Sequence, residues 1–99
     1  MEAVFLFPKE ASARSREILE DDLISRQSVT LRDARALGAD RDGTLVFIQG
    51  KAAAIQRFAS LAEDAAERLG EDQATSLRAI LRKEEESAAE GVGFLFGGP

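Results

Sequence analysis

The 99-residue chain contains no cysteine and no histidine, and it also lacks tryptophan, tyrosine and asparagine. Without cysteine it can form no disulfide and offers no thiol nucleophile. Without histidine it lacks the commonest general base and the commonest metal ligand, so a zinc ion would have to be held by carboxylates alone, which is unusual. We therefore expect a protein that is not an enzyme, with no catalytic residues and with neither a metal nor another cofactor.

Positive charge and long apolar runs are scarce as well. The chain has 13 lysine and arginine residues against 18 acidic ones, a net charge of −5, whereas proteins that bind nucleic acid carry clustered positive charge. No apolar run approaches the roughly 20 residues that cross a membrane, and the N-terminal run has no basic lead of the kind that a signal peptide has. We therefore expect a soluble, cytoplasmic protein that binds neither nucleic acid nor a membrane. The shortage of thermolabile residues is typical of a thermophile or of a GC-rich genome.

Residues 1–99 predict a single domain, because a chain of this length has room for only one core. Its hydrophobic fraction of 44% is that of an ordinary globular protein. Short apolar runs alternate with segments in which apolar residues recur at helical spacing. The predicted elements are a strand at Ala3–Phe7, a helix at Lys9–Ile24, a strand at Thr44–Gln49, a helix at Lys51–Leu69, a helix from about Glu71 to Glu90 and a strand at Val92–Phe96.

The segment Ser28–Gly38 fits two structures. Val29 and Leu31 alternate with polar residues as in a strand, while the segment from Thr30 onward also suits a helix that its final glycine would end. We favour a brief strand that runs into a helical turn. If that strand pairs with Thr44–Gln49, the chain is an α+β domain: a small helix-covered sheet on a ferredoxin-like plan, with an extra helix before the last strand.

The tripeptide Phe-Leu-Phe occurs twice, at residues 5–7 and at Phe94, Leu95 and Phe96. In one interpretation the second copy belongs to a buried last strand that lies beside the first strand and needs the same bulky filling. In the other, these three residues are anchors that bind a protein partner. Nearby glycines weaken a strand, but exposing three bulky apolar side chains costs a small domain much of its stability. We therefore favour the strand.

Residues 83–97, KEEESAAEGVGFLFG, join an acidic, alanine-containing stretch to a Gly-x-Gly and a short Leu/Phe cluster. This segment resembles the C-terminal tail of archaeal and eukaryotic ribosomal stalk proteins. The resemblance implies a flexible tail over residues 91–99 that recruits translation factors through its apolar end, with Glu84–Glu86 in the spacer. The preceding part of the chain does not resemble a stalk protein, and the acidic run is shorter than a stalk spacer.

Gly50 and Lys51 lie where a predicted strand gives way to a predicted helix. Helix N-termini present free N–H groups to anions, and Lys51 adds a positive charge, so the pair is a candidate anion-binding site. The full phosphate-loop pattern is absent, since Ala52 follows the lysine where that pattern needs serine or threonine. An ordinary strand–helix junction is the simpler interpretation.

Three functional hypotheses follow. The leading one is a small non-enzymatic binding or assembly module that forms a homo-oligomer, because a small sheet leaves unpaired edges that copies of the chain can pair. The first alternative is a partner-binding adaptor, translation-associated, that acts on a protein partner through the C-terminal tail. The second alternative is a small-anion or nucleotide sensor at Gly50 and Lys51.

Overall fold

The computed structural model describes the backbone of residues 1–97 and the side chains of residues 1–87. Single turns of 3₁₀ helix lie at Lys9–Ala11 and Arg35–Leu37. The strands and α-helices, in chain order, are β1 (Glu2–Phe7), α1 (Ser12–Leu19), α2 (Asp22–Ser25), β2 (Ser28–Asp33), β3 (Thr44–Gln49), α3 (Ala52–Ala62), β4 (Glu67–Arg68) and α4 (Glu71–Gly97).

Within residues 1–97 the strands form one antiparallel sheet of four strands in the order β2-β3-β1-β4. Strands β2 and β3 form the predicted hairpin, β1 pairs with β3, and β4 pairs with the other side of β1. The α+β class and the helix-covered sheet are confirmed, and the strand order is that of the ferredoxin-like plan. The extra helix occupies a different place: α4 follows the last strand and does not precede it.

Both central strands are buried on both of their faces, as their continuous apolar runs predict. Alternate residues of β1 and β3 point to opposite sides of the sheet. The first face, which includes Phe5, Phe7 and Val46, packs against Ile18 of α1, Ile24 of α2 and Phe58 of α3. The second face consists of Val4, Leu6, Leu45 and Phe47, and it packs against Leu77 and Leu81 of α4.

The segment after α2 has the favoured structure, a brief strand followed by a helical turn. Strand β2 ends at Asp33, and the 3₁₀ turn that follows closes at Gly38, whose φ of 87° lies in the left-handed region that favours glycine. The side chain of Asp33 supports this turn, because its Oδ2 accepts a hydrogen bond from the Ala36 N–H at 3.1 Å. The alternative helix from Thr30 onward is therefore wrong.

The predicted helix Lys9–Ile24 is divided in two near its end. Helix α1 stops at Leu19, and the Oδ2 atom of Asp21 accepts hydrogen bonds from the N–H groups of Leu23 and Ile24 at 3.2 and 3.3 Å. An aspartate side chain that bonds nearby N–H groups favours a new helix start over the helix interior. The short helix α2 is the result, and it delivers the buried Ile24 to the first face of the sheet.

The predicted helix Lys51–Leu69 is too long. Helix α3 ends at Ala62, and Glu67–Arg68 pair with β1 instead, followed by a hydrogen bond from the Leu69 N–H to the Val4 carbonyl at 2.9 Å. Helical spacing of apolar residues does not reveal this strand, because pairing with β1 is a long-range contact. The consequence is that β4 takes the place beside the first strand that was expected for Val92–Phe96.

The predicted strand Val92–Phe96 is wrong, because the backbone of α4 is helical from Glu71 to Gly97. Whether Phe94 and Phe96 are buried falls outside the described side chains, and so does the alternative of a tail over residues 91–99. The stalk-like segment therefore stays a prediction.

Phe58 lies in the core on the first face of the sheet, and its replacement tests the packing of that core. The ring is 0% exposed and lies 4.6 Å from the ring centroid of Phe5 and 5.9 Å from that of Phe7. We expect Phe58→Ala to lower the free energy of unfolding by about 3–5 kcal/mol, the usual cost of emptying such a site. The exposed neighbour Gln56 is the control, since Gln56→Ala should change it by no more than about 0.5 kcal/mol. Urea titration measures both, and equal midpoints for the two variants would contradict this packing.

Candidate functional site

The strand–helix junction at Gly50 and Lys51 is formed as predicted, but its backbone groups are hydrogen-bonded to other residues of the same chain. The Lys51 N–H donates to the side-chain oxygen of Gln27 at 3.0 Å, and the Gln27 amide nitrogen donates to the Leu23 carbonyl at 3.0 Å. Gly50 exchanges hydrogen bonds of 2.9 Å with Met1, whose terminal amine donates to its carbonyl. The junction thus connects α2, β1 and α3, which is a structural role.

Gly50 is required at this junction because the side chain of Gln27 packs directly over it. A Cβ atom on Gly50 would collide with the Gln27 amide oxygen. The same oxygen accepts the hydrogen bond from the Lys51 N–H, so a bound anion would have to displace it. Neither Gly50 nor Lys51 lines the clefts described below.

Among residues 1–87, the carboxyl groups with displaced pKa values are all paired with arginines on the surface. Two hydrogen bonds from Arg57, at 2.8 and 2.6 Å, lower the pKa of Asp21 below its ordinary value of 3.8. In the same way, a hydrogen bond from Arg35 lowers the pKa of Asp42, and a bidentate contact from Arg41 lowers the pKa of Glu67. A lowered pKa suits a structural ion pair, whereas a general acid that works near neutral pH needs a raised one.

Metal-binding groups are not clustered in the part of the molecule whose side chains are described. Among residues 1–87, no three acidic side chains lie together in an arrangement that could hold a metal ion. Aspartates 40 and 42 instead belong to the turn between β2 and β3, where Arg35 donates to the Asp42 carboxylate at 2.7 Å.

Strand β2 forms one edge of the sheet, and alternate residues present their backbone groups to the outside. The Ala34 N–H donates to the Gly43 carbonyl at 2.9 Å, which fixes the phase of the β2–β3 ladder. Ser28, Thr30 and Arg32 then direct their backbone N–H and C=O groups toward β3, while Val29, Leu31 and Asp33 direct theirs away from the sheet. This edge is six residues long, which makes it a template for a further strand.

An exposed apolar side chain lies at the middle of this edge. Leu31 is 43% exposed. The other large apolar side chains of residues 1–87 that are exposed are Met1 and Ile80. The neighbouring charge of Arg32 is neutralised within the chain, because its Nε donates to the Glu84 carboxylate of α4 at 3.3 Å. The Nη1 atom of Arg32 also donates to the Leu31 carbonyl at 2.8 Å, so the edge combines an apolar centre with outward backbone groups of which one is already bonded within the chain.

Helix α4 lies across the second face of the sheet, from the β4 edge to the β2 edge. It begins two residues after β4, and Arg78 on its first half pairs with Glu2 of β1 at 3.4 Å. Thirteen residues into the helix, Glu84 pairs with Arg32 on β2. The helix has then crossed all strands of the sheet within the described residues, and its remaining turns start at the β2 edge.

Two clefts flank α4 on this face. The smaller, of about 240 Å³, is lined mainly by polar groups that include Glu2, Thr30, Arg78, Arg82 and Glu85. The larger, of about 550 Å³, is lined by leucines from both the sheet and the helix and by the polar residues Asp40, Arg41, Asp72, Gln73 and Ser76. Its large aliphatic residues are Leu6, Leu37, Leu45, Leu69, Leu77 and Ile80.

Ile80 is the exposed member of that apolar set. Its side chain is 43% exposed, whereas the leucines of the cleft are nearly covered by the chain itself. Ile80 is therefore the large apolar side chain that this cleft presents at the surface of α4.

Comparisons with protein-family models, with curated proteins and with solved structures found no match. In the described part of the chain, no helix combines the length and the apolar character that crossing a membrane requires.

Sequence patterns located some parts of these surfaces and missed others. The junction at Gly50 and Lys51 was predicted, but its occupation by Gln27 was not, because a lone glutamine carries no local signal of a cap. The alternation around Leu31 predicted a strand, while its position at an edge depends on the pairing of β1 with β3. The apolar cleft at Ile80 was missed, since it forms only when α4 packs beside the 3₁₀ turn. Phe94, Leu95 and Phe96 lie on the last turns of α4, outside the described side chains.

The ion pair between Asp21 and Arg57 predicts a loss of stability in acid. In the unfolded chain Asp21 binds a proton near its ordinary pKa of 3.8, whereas in the folded chain its pKa is lower, so stability falls as the pH falls below about 3.8. We expect Asp21→Asn to be less stable than the wild type at pH 7 and to lose less of its free energy of unfolding between pH 5 and 2. Arg57→Gln should flatten the profile similarly. Urea titrations across this range measure it, and a slope unchanged in both variants would contradict the pairing.

The occupation of the α3 N-terminus by Gln27 predicts weak anion binding there. We expect phosphate and sulfate to leave the backbone amide signals of Gly50, Lys51 and Ala52 without a saturable shift in NMR titrations. Gln27→Ala frees the Lys51 N–H and is the matched variant in which such a shift would first emerge. A saturable shift in the wild type that disappears in Lys51→Ala would support the anion-sensor hypothesis instead.

Proposed function

We propose that this protein is a non-enzymatic self-association module whose copies join by pairing strand β2 with strand β2 of a second copy. The observation that carries the proposal is the position of β2 at the edge of the sheet, with outward backbone groups at Val29, Leu31 and Asp33 and an exposed apolar side chain at its centre. Two such edges are complementary to each other, because a two-fold axis pairs a surface patch with itself.

The arrangement of outward groups selects one antiparallel register. With the two-fold axis at Leu31, each Leu31 pairs with the partner's Leu31, and Val29 pairs with the partner's Asp33. All three outward residues then exchange bonds, about six in total, and the two sheets become one continuous sheet. For this the partner's N–H displaces the Arg32 Nη1 atom from the Leu31 carbonyl. The leucine side chains meet on the first face, while Arg32 stands opposite the partner's Thr30, so this register brings no like charges directly together.

The energies indicate that this edge pairing needs additional apolar burial. About six hydrogen bonds with a net value of about 0.5–1.5 kcal/mol each contribute about 3–9 kcal/mol, while association costs about 4–15 kcal/mol. Burial of the two Leu31 side chains adds at most about 1.5–3 kcal/mol for each leucine. A dimer held by β2 alone would therefore be weak, and a stable one needs further contact between the copies.

The non-enzymatic part of the proposal rests on the chemistry of the side chains. The chain has neither histidine nor cysteine, and the carboxyl groups with displaced pKa values, Asp21, Asp42 and Glu67, are paired with arginines. These groups support a protein that acts by binding. Turnover of a substrate that depends on one of these carboxylates would contradict this part of the proposal.

A single introduced cysteine tests the β2 pairing directly, because the chain has no other. In the proposed register the Cα atoms of the two Leu31 residues lie about 5.5 Å apart, within the range that a disulfide bridges. We expect Leu31→Cys to form a covalent dimer under mild oxidation. Light scattering of the wild type should give about twice the 10.7 kDa of one chain.

Thr30→Cys is the matched control, because the two Thr30 residues lie diagonally across the axis, about 7–8 Å apart, beyond the reach of a disulfide. Leu31→Arg should shift the wild-type dimer toward the monomer, since it places two positive charges at the axis. Equal cross-linking of both cysteine variants, or a monomer at high micromolar concentration, would overturn the proposal.

A further inference from the structure

We propose that the smaller cleft beside α4 binds a free α-amino acid with an aliphatic side chain, whose carboxylate pairs with Arg82 and whose ammonium group pairs with Glu85. The cleft lies within one copy of the chain, so this inference goes beyond the proposed self-association and does not rest on it. It assigns a class of ligand to side chains that self-association leaves without a role.

The floor of the cleft is a polar row at one end of the sheet. Gln49 of β3 is the register partner of both Glu2 on β1 and Ser28 on β2, and all three residues line the cleft. The next pair on this face of the sheet, Val4 with Phe47, belongs to the apolar core under α4. Polar residues thus replace apolar ones where the cleft lies, and such departures from the packing pattern are expected at functional sites.

One wall of the cleft is helix α4, which contributes two arginines. Arg78 and Arg82 are four residues apart, so they lie on the same side of the helix, and both line the cleft. The guanidinium group of Arg78 is held by the chain itself, because it pairs with Glu2 at 3.4 Å and with Glu71 at 3.6 Å. Arg82 forms no ion pair among residues 1–87, so its guanidinium group is available for a carboxylate from outside.

Arg82 is an exception among the arginines of residues 1–87. Seven of the ten arginines form ion pairs with acidic side chains of the chain, and Arg68 lies over the ring of Phe5 at 5.7 Å. The other two are Arg82 and Arg16, which is exposed on α1. Arg82 lines the smaller cleft, whereas Arg16 lines none of the clefts described above.

Glu85 is the acidic counterpart of Arg82. It follows Arg82 by three residues on α4 and lines the same cleft, and it too forms no ion pair among residues 1–87. Residues three apart on a helix are neighbours, with about 5–6 Å between their Cβ atoms. The cleft therefore presents a positive and a negative group side by side, which suits an α-amino acid because its carboxylate and ammonium group are attached to one carbon.

The balance of charge in the cleft favours a ligand that carries both signs. The charged lining residues are Arg78, Arg82, Glu2 and Glu85, so the lining has no net charge. An anion bound at Arg82 alone would lie next to Glu85, and a cation bound at Glu85 alone would lie next to Arg82. Like charges at this spacing repel each other, whereas a zwitterion meets each side chain with the opposite charge.

The size and the remaining lining of the cleft restrict the ligand further. Its volume of about 240 Å³ is below the roughly 300–1,000 Å³ of sites for drug-sized ligands, so an amino acid suits it better than a nucleotide. The hydroxyl groups of Ser28 and Thr30 can donate and accept hydrogen bonds. Phe47 and Leu81 also line the cleft, and they offer apolar contact to an aliphatic side chain such as that of leucine.

Three matched probes test the need for both charges: L-leucine, leucinamide, which lacks the carboxylate, and N-acetylleucine, which lacks the ammonium group. NMR titrations of the isotope-labelled full chain follow the backbone amide signals of Ser28, Thr30 and Gln49. We expect leucine to shift these signals in a saturable way, and we expect both analogues to bind at least tenfold more weakly.

Two variants test the assigned side chains. Arg82→Gln and Glu85→Gln each remove one charge from the cleft, so either should raise the dissociation constant for leucine at least tenfold. Arg16→Gln and Glu86→Gln are the matched controls, because both residues are exposed and neither lines the cleft, and they should leave the constant unchanged.

The inference would be overturned by the absence of a saturable shift with leucine, by equal binding of leucine and either analogue, or by equal effects of the variants and their controls. The analogue titrations use the wild-type chain, so they decide the question even where a variant fails to fold. Light scattering and the Leu31→Cys cross-link measure self-association separately, so a failure here leaves the β2 dimer standing.

Discussion

The antiparallel pairing of β1 with β3 is the constraint on which the rest of the structure depends. Both strands carry apolar residues on every position that faces a core, so the sheet they form has to be covered on both sides. The helices α1 to α3 cover one side and α4 covers the other. The same pairing also decides which strands become edges, because β2 adds only to the outer side of β3 and β4 only to the outer side of β1.

The two edges that result are unlike each other. The β4 edge is only two residues long, and a bidentate contact between Arg41 and Glu67 holds it to the turn after β2. A very short edge strand flanked by charges is a common protection against unwanted pairing. The β2 edge is six residues long with Leu31 at its centre, which concentrates any strand pairing between copies on one side of the molecule.

The sequence predicted those parts of the fold whose signal is local. The runs at β1 and β3 are apolar and rich in β-formers, and Gly43 and Gly50 bound the second of them, so their strands were predictable. The separation of α1 from α2 depends on Asp21, whose capping bond has no periodic pattern to mark it. Strand β4 has only two residues and exists because β1 has an open side. The clefts beside α4 depend on the path by which that helix crosses the sheet. Long-range pairs such as Arg32 with Glu84 define this path, and residue spacing does not reveal it.

The side chain of Arg32 connects the β2 edge to helix α4. A charged side chain on an edge strand usually discourages pairing, and the Arg32 guanidinium also covers part of this edge, because its Nη1 donates to the Leu31 carbonyl at 2.8 Å. The Glu84 carboxylate neutralises it from α4, and the same contact fixes where α4 crosses the edge. The bond lies at the surface, with both side chains more than a third exposed, so its direct contribution to stability is at most about 1 kcal/mol. Its importance lies in geometry: the same guanidinium contacts the backbone of the edge at Leu31 and the carboxylate of Glu84, and so ties α4 to the β2 edge.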